Sequence, residues 1–234
     1  TTNGGEDIFW AKYNSSGELV WAKSAGGFTR DRGTSIAVDA SGNVYVTGYF
    51  YHTADFDPGG GTTNLTAAGG YDVFFAKYNS SGELVWAKNV GGTSDDSGTS
   101  IAVDGSGNVY VIGNIDGTAD LDPGAGTTEY TTYGGDDIFW AKYNSSGELV
   151  WADKNYSINP GNYNAYWYDD DRGYSIVVDE SGNVYSTGYF WGWGMAGVNH
   201  VGSNGSTDIF WRKHNSSGER VWTRSAGGQK NSGQ

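Results

Sequence analysis

Four aspartates beside Pro-Gly turns are the residues best placed to bind a metal ion. They lie in the phrases A-D-F-D-P-G and A-D-L-D-P-G, as Asp55, Asp57, Asp120 and Asp122. Alternating carboxylates next to a turn could offer oxygen ligands to Ca²⁺. Aspartates in such loops also accept hydrogen bonds from turn amides. The sequence therefore leaves a calcium site and a capped turn as alternatives.

A second set of residues with binding chemistry consists of aromatic side chains that fall outside the regular pattern of the chain. Tyr and Trp on loops with Asn, Gly and Ser can stack on sugar rings or anchor a protein contact. They can equally cover an irregular sheet edge. The candidates are Tyr163, Tyr166, Trp167, Tyr168, Trp191 and Trp193.

The residues required for common enzyme mechanisms are missing or scattered. The chain has no cysteine, and His52, His200 and His214 stand in unrelated contexts. No G-x-S-x-G, H-E-x-x-H or P-loop pattern occurs. Adjacent carboxylates such as Asp169 and Asp170 leave a carboxylate-dependent hydrolase as a remote alternative. We expect no enzymatic activity and no cofactor apart from a possible Ca²⁺.

The charge of the chain excludes several partners. Fourteen basic side chains face 27 acidic ones, which gives a formal charge of -13. This charge disfavours binding to nucleic acids and anionic membranes. No apolar run reaches the roughly 20 residues that span a bilayer. We expect an extracellular or cell-surface protein, whose secretion signal would lie outside the given residues.

The elements that must position these residues come from an internal repeat. The phrase D-I-F-W-A-K-Y-N-S-S-G-E-L-V-W, or a close variant, occupies residues 7–21, 72–86, 137–151 and 208–222. A second phrase, S-I-A-V-D-x-S-G-N-V-Y-V-x-G, begins at Ser35 and recurs at Ser100 and, with changes, at Ser175. Each phrase consists of two β-rich runs around a glycine-bearing turn, which is typical of a β-hairpin.

These phrases, joined by the segment A-D-F-D-P-G, resemble the bacterial β-propeller repeat called SBBP. The resemblance covers nearly the whole chain and fails only in parts of residues 153–171 and 191–206. It implies a secreted or cell-surface repeat protein, often part of a longer chain, without catalytic residues.

The predicted fold class is all-β, a β-propeller-like array of four-stranded antiparallel blades. Their strands are apolar on both faces, as packing between neighbouring blades requires. Counting phrases gives about three and a half blades. The predicted divisions are a half-blade at 1–32, blades at 33–97 and 98–171, and a divergent blade with a tail at 172–234.

The surplus half-blade predicts an assembly edge. We expect Phe9 and Trp10 to lie on an uncovered face. Other copies of the chain or adjoining repeats would cover it, and a head-to-tail contact could give a filament or a ring.

Asn-x-Ser/Thr sequons mark possible glycosylation sites at Asn14, Asn64, Asn79, Asn144, Asn155, Asn204 and Asn215. Four belong to an Asn-Ser-Ser-Gly turn, where backbone geometry alone favours Asn and Gly. The sequence thus predicts a non-enzymatic structural or adhesive protein that self-assembles or belongs to a longer array. The alternative is a carbohydrate-binding propeller.

Overall fold

The structure is a computed structural model that describes residues 4–132, 135–155, 171–191 and 207–228. These residues form antiparallel strands and contain no helix, hence none that could cross a lipid bilayer. The strands are β1 Ile8–Tyr13, β2 Leu19–Gly27, β3 Arg32–Val38, β4 Val44–Asp55, β5 Asn64–Tyr78, β6 Leu84–Gly92, β7 Ser97–Val103, β8 Val109–Ile115, β9 Thr118–Asp120, β10 Glu129–Thr131, β11 Asp137–Tyr143, β12 Leu149–Lys154, β13 Arg172–Val178, β14 Val184–Trp191, β15 Thr207–His214 and β16 Arg220–Ala226.

The strands pair as the repeat predicts. The first unit has the order β3-β4-β5-β6, the second β7-β8-β11-β12 and the third β13-β14-β15-β16. Strands β1 and β2 form an N-terminal hairpin that corresponds to the outer half of a unit. The predicted all-β class and the pairing of the two hairpins within each unit are therefore confirmed.

Short polar turns close both kinds of hairpin. Asp39 Oδ1 accepts hydrogen bonds from the amides of Ser41 and Asn43, each at 2.9 Å. Gly42 has a φ of 79°, in the left-handed region that favours glycine. Asp39 therefore caps its turn, and Asp104 and Asp179 cap theirs in the same way.

The apolar core lies between consecutive units. We call the face that a unit turns toward the next unit its leading face, and the opposite one its trailing face. Ile8 and Trp10 of the N-terminal hairpin pack on Phe74 and Tyr78 of the first unit, and the same arrangement recurs at the next two junctions. The central strands of the first and second units, β4, β5, β8 and β11, are thus covered on both faces, which explains why their residues are apolar in both directions.

Two arms connect neighbouring units and were not predicted. Beyond the first unit, β4 and β5 continue as a ribbon that pairs Asp55 with Asn64. The end of this arm pairs with the outer strand of the N-terminal hairpin, Gly26 opposite Asp55. The β9–β10 ribbon forms the second arm and pairs in the same way with β6.

Candidate assembly interface

The first end of the array is the trailing face of the N-terminal hairpin. Its Phe9 is 79% exposed, whereas the equivalent Phe74, Phe139 and Phe210 are at most 1% exposed. Phe9 thus lies on an uncovered face as expected, and its role in assembly stays a prediction. Trp10, however, is only 4% exposed and its ring centroid lies 4.3 Å from that of Tyr78. The prediction was wrong for Trp10, because alternation along β1 turns it onto the first unit while Phe9 points away.

The second end is the leading face of the third unit. Ile209 is 55% and Trp211 39% exposed. Their equivalents in the second unit, Ile138 and Trp140, are fully buried against the third unit. The sequence analysis did not single out this face, although the repeat phrase would have allowed it.

The two ends carry opposite halves of one recurring contact. At the second junction Phe75 of the leading face stacks on Tyr143 of the trailing face, with centroids 4.1 Å apart. At the ends the leading position is Trp211, and the trailing position is Tyr13, which is 61% exposed. The unpartnered faces are therefore complementary in side-chain type.

A hydrogen bond also recurs at the rim of each junction. The indole N–H of Trp86 donates to the carbonyl of Ser145 at 3.1 Å, and Trp21 and Trp151 make the same bond to the following unit. Trp222 holds the equivalent position in the third unit and packs on Tyr185 as its counterparts do. Within the described ranges no further unit follows to accept its N–H.

The third junction contains a charged cluster that the sequence analysis missed. Arg220 makes a bidentate bond to Asp153, with Nε and Nη2 at 2.6 and 2.5 Å from the carboxylate oxygens. His214 Nε2 lies 2.9 Å from Asp153 Oδ2, and Arg212 lies 4.4 Å from the ring of Trp140. Comparing the repeats reveals the signal. The position of Asp153 is Lys or Arg in the other copies, whereas Arg220, His214 and Arg212 replace Leu, Tyr and Ala.

Burial and the contacts within this cluster determine which of its side chains are charged. Burial raises the pKa of Asp153, but hydrogen bonds from His214 and Arg220 outweigh it and bring the pKa down to about 2. Burial lowers the pKa of His214 and brings that of Arg212 down to about 9. Asp153 is thus ionised and His214 neutral at pH 7, so a buried anion is held between two guanidinium groups.

Buried carboxyl groups lie near the junctions, and one of them directly precedes β7, the first strand of the second unit. Asp96 is fully buried and accepts hydrogen bonds from the amides of Gly92 and Asp116. Burial raises its pKa to about 8, with a further contribution from nearby Asp72. Burial also raises the pKa of Asp72 to about 6. Near neutral pH the folded chain therefore keeps protons on these carboxyl groups, whereas the unfolded chain has already released them.

A cleft opens at the same end of the units. It has a volume of about 350 Å³. Tyr49 and Tyr71 form part of its wall, with their rings edge to face at 5.1 Å. Arg172 crosses the cleft edge to Asp136 in a 2.7 Å ion pair. Its other lining residues are Arg30, Asp95, Asp96, Ser97 and Asp116.

The predicted calcium residues occupy the tips of the two arms. Asp55 Oδ1 accepts the amides of Asp57 and Thr63, and Asp57 Oδ1 accepts the amide of Gly59. Asp120 and Asp122 repeat these bonds. In the described part of the chain no group of three or more His, Cys, Asp or Glu is placed to hold a metal. The geometry supports turn capping, and calcium binding stays a prediction.

The remaining predicted residues fall into three groups. Asn14, Asn79, Asn144 and Asn215 each accept two amides of their own turn, and Asn64 is exposed on the first arm. Asn155 is fully buried and its amide donates to Asp171, which contradicts an accessible sequon there. Trp191 ends β14 and its amide donates to Asp171. Tyr163, Tyr166, Trp167, Tyr168, Trp193 and Asn204 lie outside the described residues.

Comparisons with known proteins agree with this architecture. The chain is 24% identical over 247 aligned positions, 89% of its length, to an uncharacterized WD repeat-containing protein, L264, of Acanthamoeba polyphaga mimivirus. It is 30% identical over 131 residues, 54% of its length, to the regulatory protein FlaEY of Caulobacter vibrioides. The matched parts cover 16% and 14% of those proteins, so the chain spans a small fraction of each. The SBBP beta-propeller repeat model matches residues 21–49 and 85–122. These two stretches of the chain therefore carry beta-propeller repeats of the SBBP type.

Proposed function

We propose that this chain is a non-catalytic structural module of an extracellular or cell-surface protein, which joins end to end with further units of its own kind. The observation that carries the proposal is the pair of complementary end faces. Phe9 and Tyr13 stand exposed at one end, and Ile209 and Trp211 at the other. Sheet faces with large exposed apolar side chains are typical of interaction surfaces.

The internal junctions support an assembly of the head-to-tail kind. Each one brings the leading positions of one unit against the trailing positions of the next. The same contact between copies joins two different surfaces, so it can propagate into a filament or close into a ring. An adhesive role fits such a scaffold, because an array presents the same surface many times.

The test is the mass of the protein in solution, measured by light scattering over a range of concentrations and accompanied by electron microscopy. We expect particles larger than one chain, and we expect Phe9→Glu and Trp211→Glu each to reduce them to single chains. Phe28→Glu is the matched control, because Phe28 is 88% exposed but lies between β2 and β3. Single chains at every concentration would refute assembly between copies.

Localisation needs a separate measurement. Labelling of intact source cells with a membrane-impermeant reagent should modify the protein if it lies at the cell surface. Modification only after lysis would contradict the extracellular part of the proposal.

Glycan binding is the second candidate function, and the cleft favours it. Tyr49 and Tyr71 could stack on a sugar ring while Asp95 and Asp116 accept hydrogen bonds from its hydroxyls. A glycan array is the direct test. Binding that is lost in Tyr71→Ala and kept in Phe28→Ala would support it, and the absence of binding on the array would count against it.

A further inference from the structure

We propose that the groove between β1 and β3 is a docking site for a β-hairpin of the kind formed by β3–β4, β7–β8 and β13–β14, supplied by a further repeat of the same type. This inference rests on the proposed function, because it names what covers the trailing end. The groove has a volume of about 360 Å³. Its walls include Phe9, Ala11 and Tyr13 from the N-terminal hairpin, and Ile36 and Val46 from the first unit.

One edge of β1 is unpaired within the described residues. Its equivalents β5, β11 and β15 each pair on both sides. One partner is an outer strand, and the other is the second strand of a hairpin such as β3–β4, which we call a first-type hairpin. Across the described ranges β1 pairs only with β2. Its other edge therefore presents backbone donors and acceptors at the place where a strand is bound in all three units.

The environment of Phe9 differs from that of its equivalents. In the units, the equivalent phenylalanine lies opposite a glycine of the paired strand, as with Phe74 and Gly48. A Cβ atom on Gly48 would come within 2.9 Å of the Phe74 ring, and the approach is as close at Gly113 and Gly188. The ring thus packs over a glycine. Phe9 is 79% exposed, and across the described residues no strand brings such a glycine to its side.

The floor of the groove is also uncovered. Ile36 of β3 is 52% exposed, although its equivalents Ile101 and Ile176 are at most 4% exposed. The first-type hairpin of the preceding unit covers those two residues. It also supplies an acceptor, since the Ile101 amide donates to Ser35 Oγ at 3.3 Å. An occupant with a serine at that position would make the same bond to the Ile36 amide.

These observations identify the occupant by its chemistry. It needs a strand with a glycine opposite Phe9, small or branched apolar residues opposite Ala11 and Tyr13, and a serine on the adjoining strand. The pattern S-I-A-V-D-x-S-G-N-V-Y-V-x-G meets all of these conditions. The leading face of a second copy could cover Phe9, but a face packs through its side chains and would leave the edge of β1 unpaired.

The experiment supplies the hairpin covalently, at a high effective concentration. A copy of residues 30–68 is placed ahead of Gly4, which restores the order found in the first unit. Hydrogen exchange of the β1 amides is then compared with that of the unextended chain. We expect exchange of these amides to slow by at least about tenfold. Phe9→Glu in the extended chain should abolish the protection, and Phe28→Glu should leave it.

Two outcomes would overturn the proposal. One is that the β1 amides exchange equally fast with and without the extension. The other is that they become protected in the unextended chain as its concentration rises, which would identify a second copy as the occupant. If the extension protects β1 while the unextended chain remains a single chain in solution, the docking site stands and assembly between copies fails.

Discussion

The charged cluster at the third junction allows a quantitative prediction. Asp153→Asn keeps the size of the side chain but removes the carboxylate that Arg220, His214 and Arg212 face. The fall of its pKa from 3.8 to about 2 corresponds to about 2 kcal/mol of preference for the ionised form. Removing one partner from a buried charge pair costs about 3–5 kcal/mol in other proteins. We expect Asp153→Asn to lower the free energy of unfolding by about 3 kcal/mol.

Urea unfolding followed by tryptophan fluorescence measures the effect. Hydrogen exchange in β12 and β15 should localise it, because repeat arrays can open one junction at a time. The matched control is Lys88→Asn, the equivalent change at the second junction, for which we expect less than about 0.5 kcal/mol.

The repeat itself provides a rescue. Changing the four positions together to the residues of the second junction gives Asp153→Lys, Arg212→Ala, His214→Tyr and Arg220→Leu. This quadruple variant should be more stable than Asp153→Asn, since apolar packing can replace a buried ionic cluster. A loss below about 1 kcal/mol for Asp153→Asn, or a quadruple variant less stable than it, would refute the reasoning.

Three further predictions concern pH, metal and turns. Asp96 has a pKa of about 8 in the fold and near 3.8 when unfolded, so the free energy of unfolding should fall as pH rises from 6.5 to 8.5. Asp96→Asn should flatten this dependence. A rise in the wild-type urea midpoint over that range would contradict the prediction. Burial lowers the pKa of His214, so this residue opposes the fall only near pH 6.5, where the unfolded histidine is still partly protonated. If the arm tips at Asp55 and Asp120 bind Ca²⁺, a chelator should lower the melting temperature, and an unchanged melting curve would speak against binding. Asn79→Ala should cost about 1–2 kcal/mol through the loss of its two amide contacts, whereas Ser80→Ala should cost little in the same thermal melt.

Sequence reasoning identified the strands because their signals are local. Apolar runs closed by Asp-x-Ser-Gly and Asn-Ser-Ser-Gly turns specify each hairpin, and the repeat places both kinds in one unit. The direction in which each side chain points was harder to predict. Phe9 and Trp10 are adjacent aromatics, and only the presence of a unit on one side of β1 and none on the other makes one exposed and the other buried.

The arms and the charged cluster show what local patterns leave out. The phrase around Asp55 resembles a loop, and its pairing with Gly26 depends on a strand about 30 residues earlier in the chain. The cluster joins Asp153 to residues 61 and 67 positions later. In each case the residue types are visible in the sequence, but their meeting depends on how units stack.

The outer strands β2 and β6 are each fastened to the following unit at both of their ends, which has a mechanical consequence. Near the start of β2, the Trp21 indole bonds to the following unit, and at its far end Gly26 pairs with the arm. A bending load on the chain would therefore have to break two separate attachments before the apolar faces could part. A module built this way should resist bending more than a stack joined by apolar contact alone.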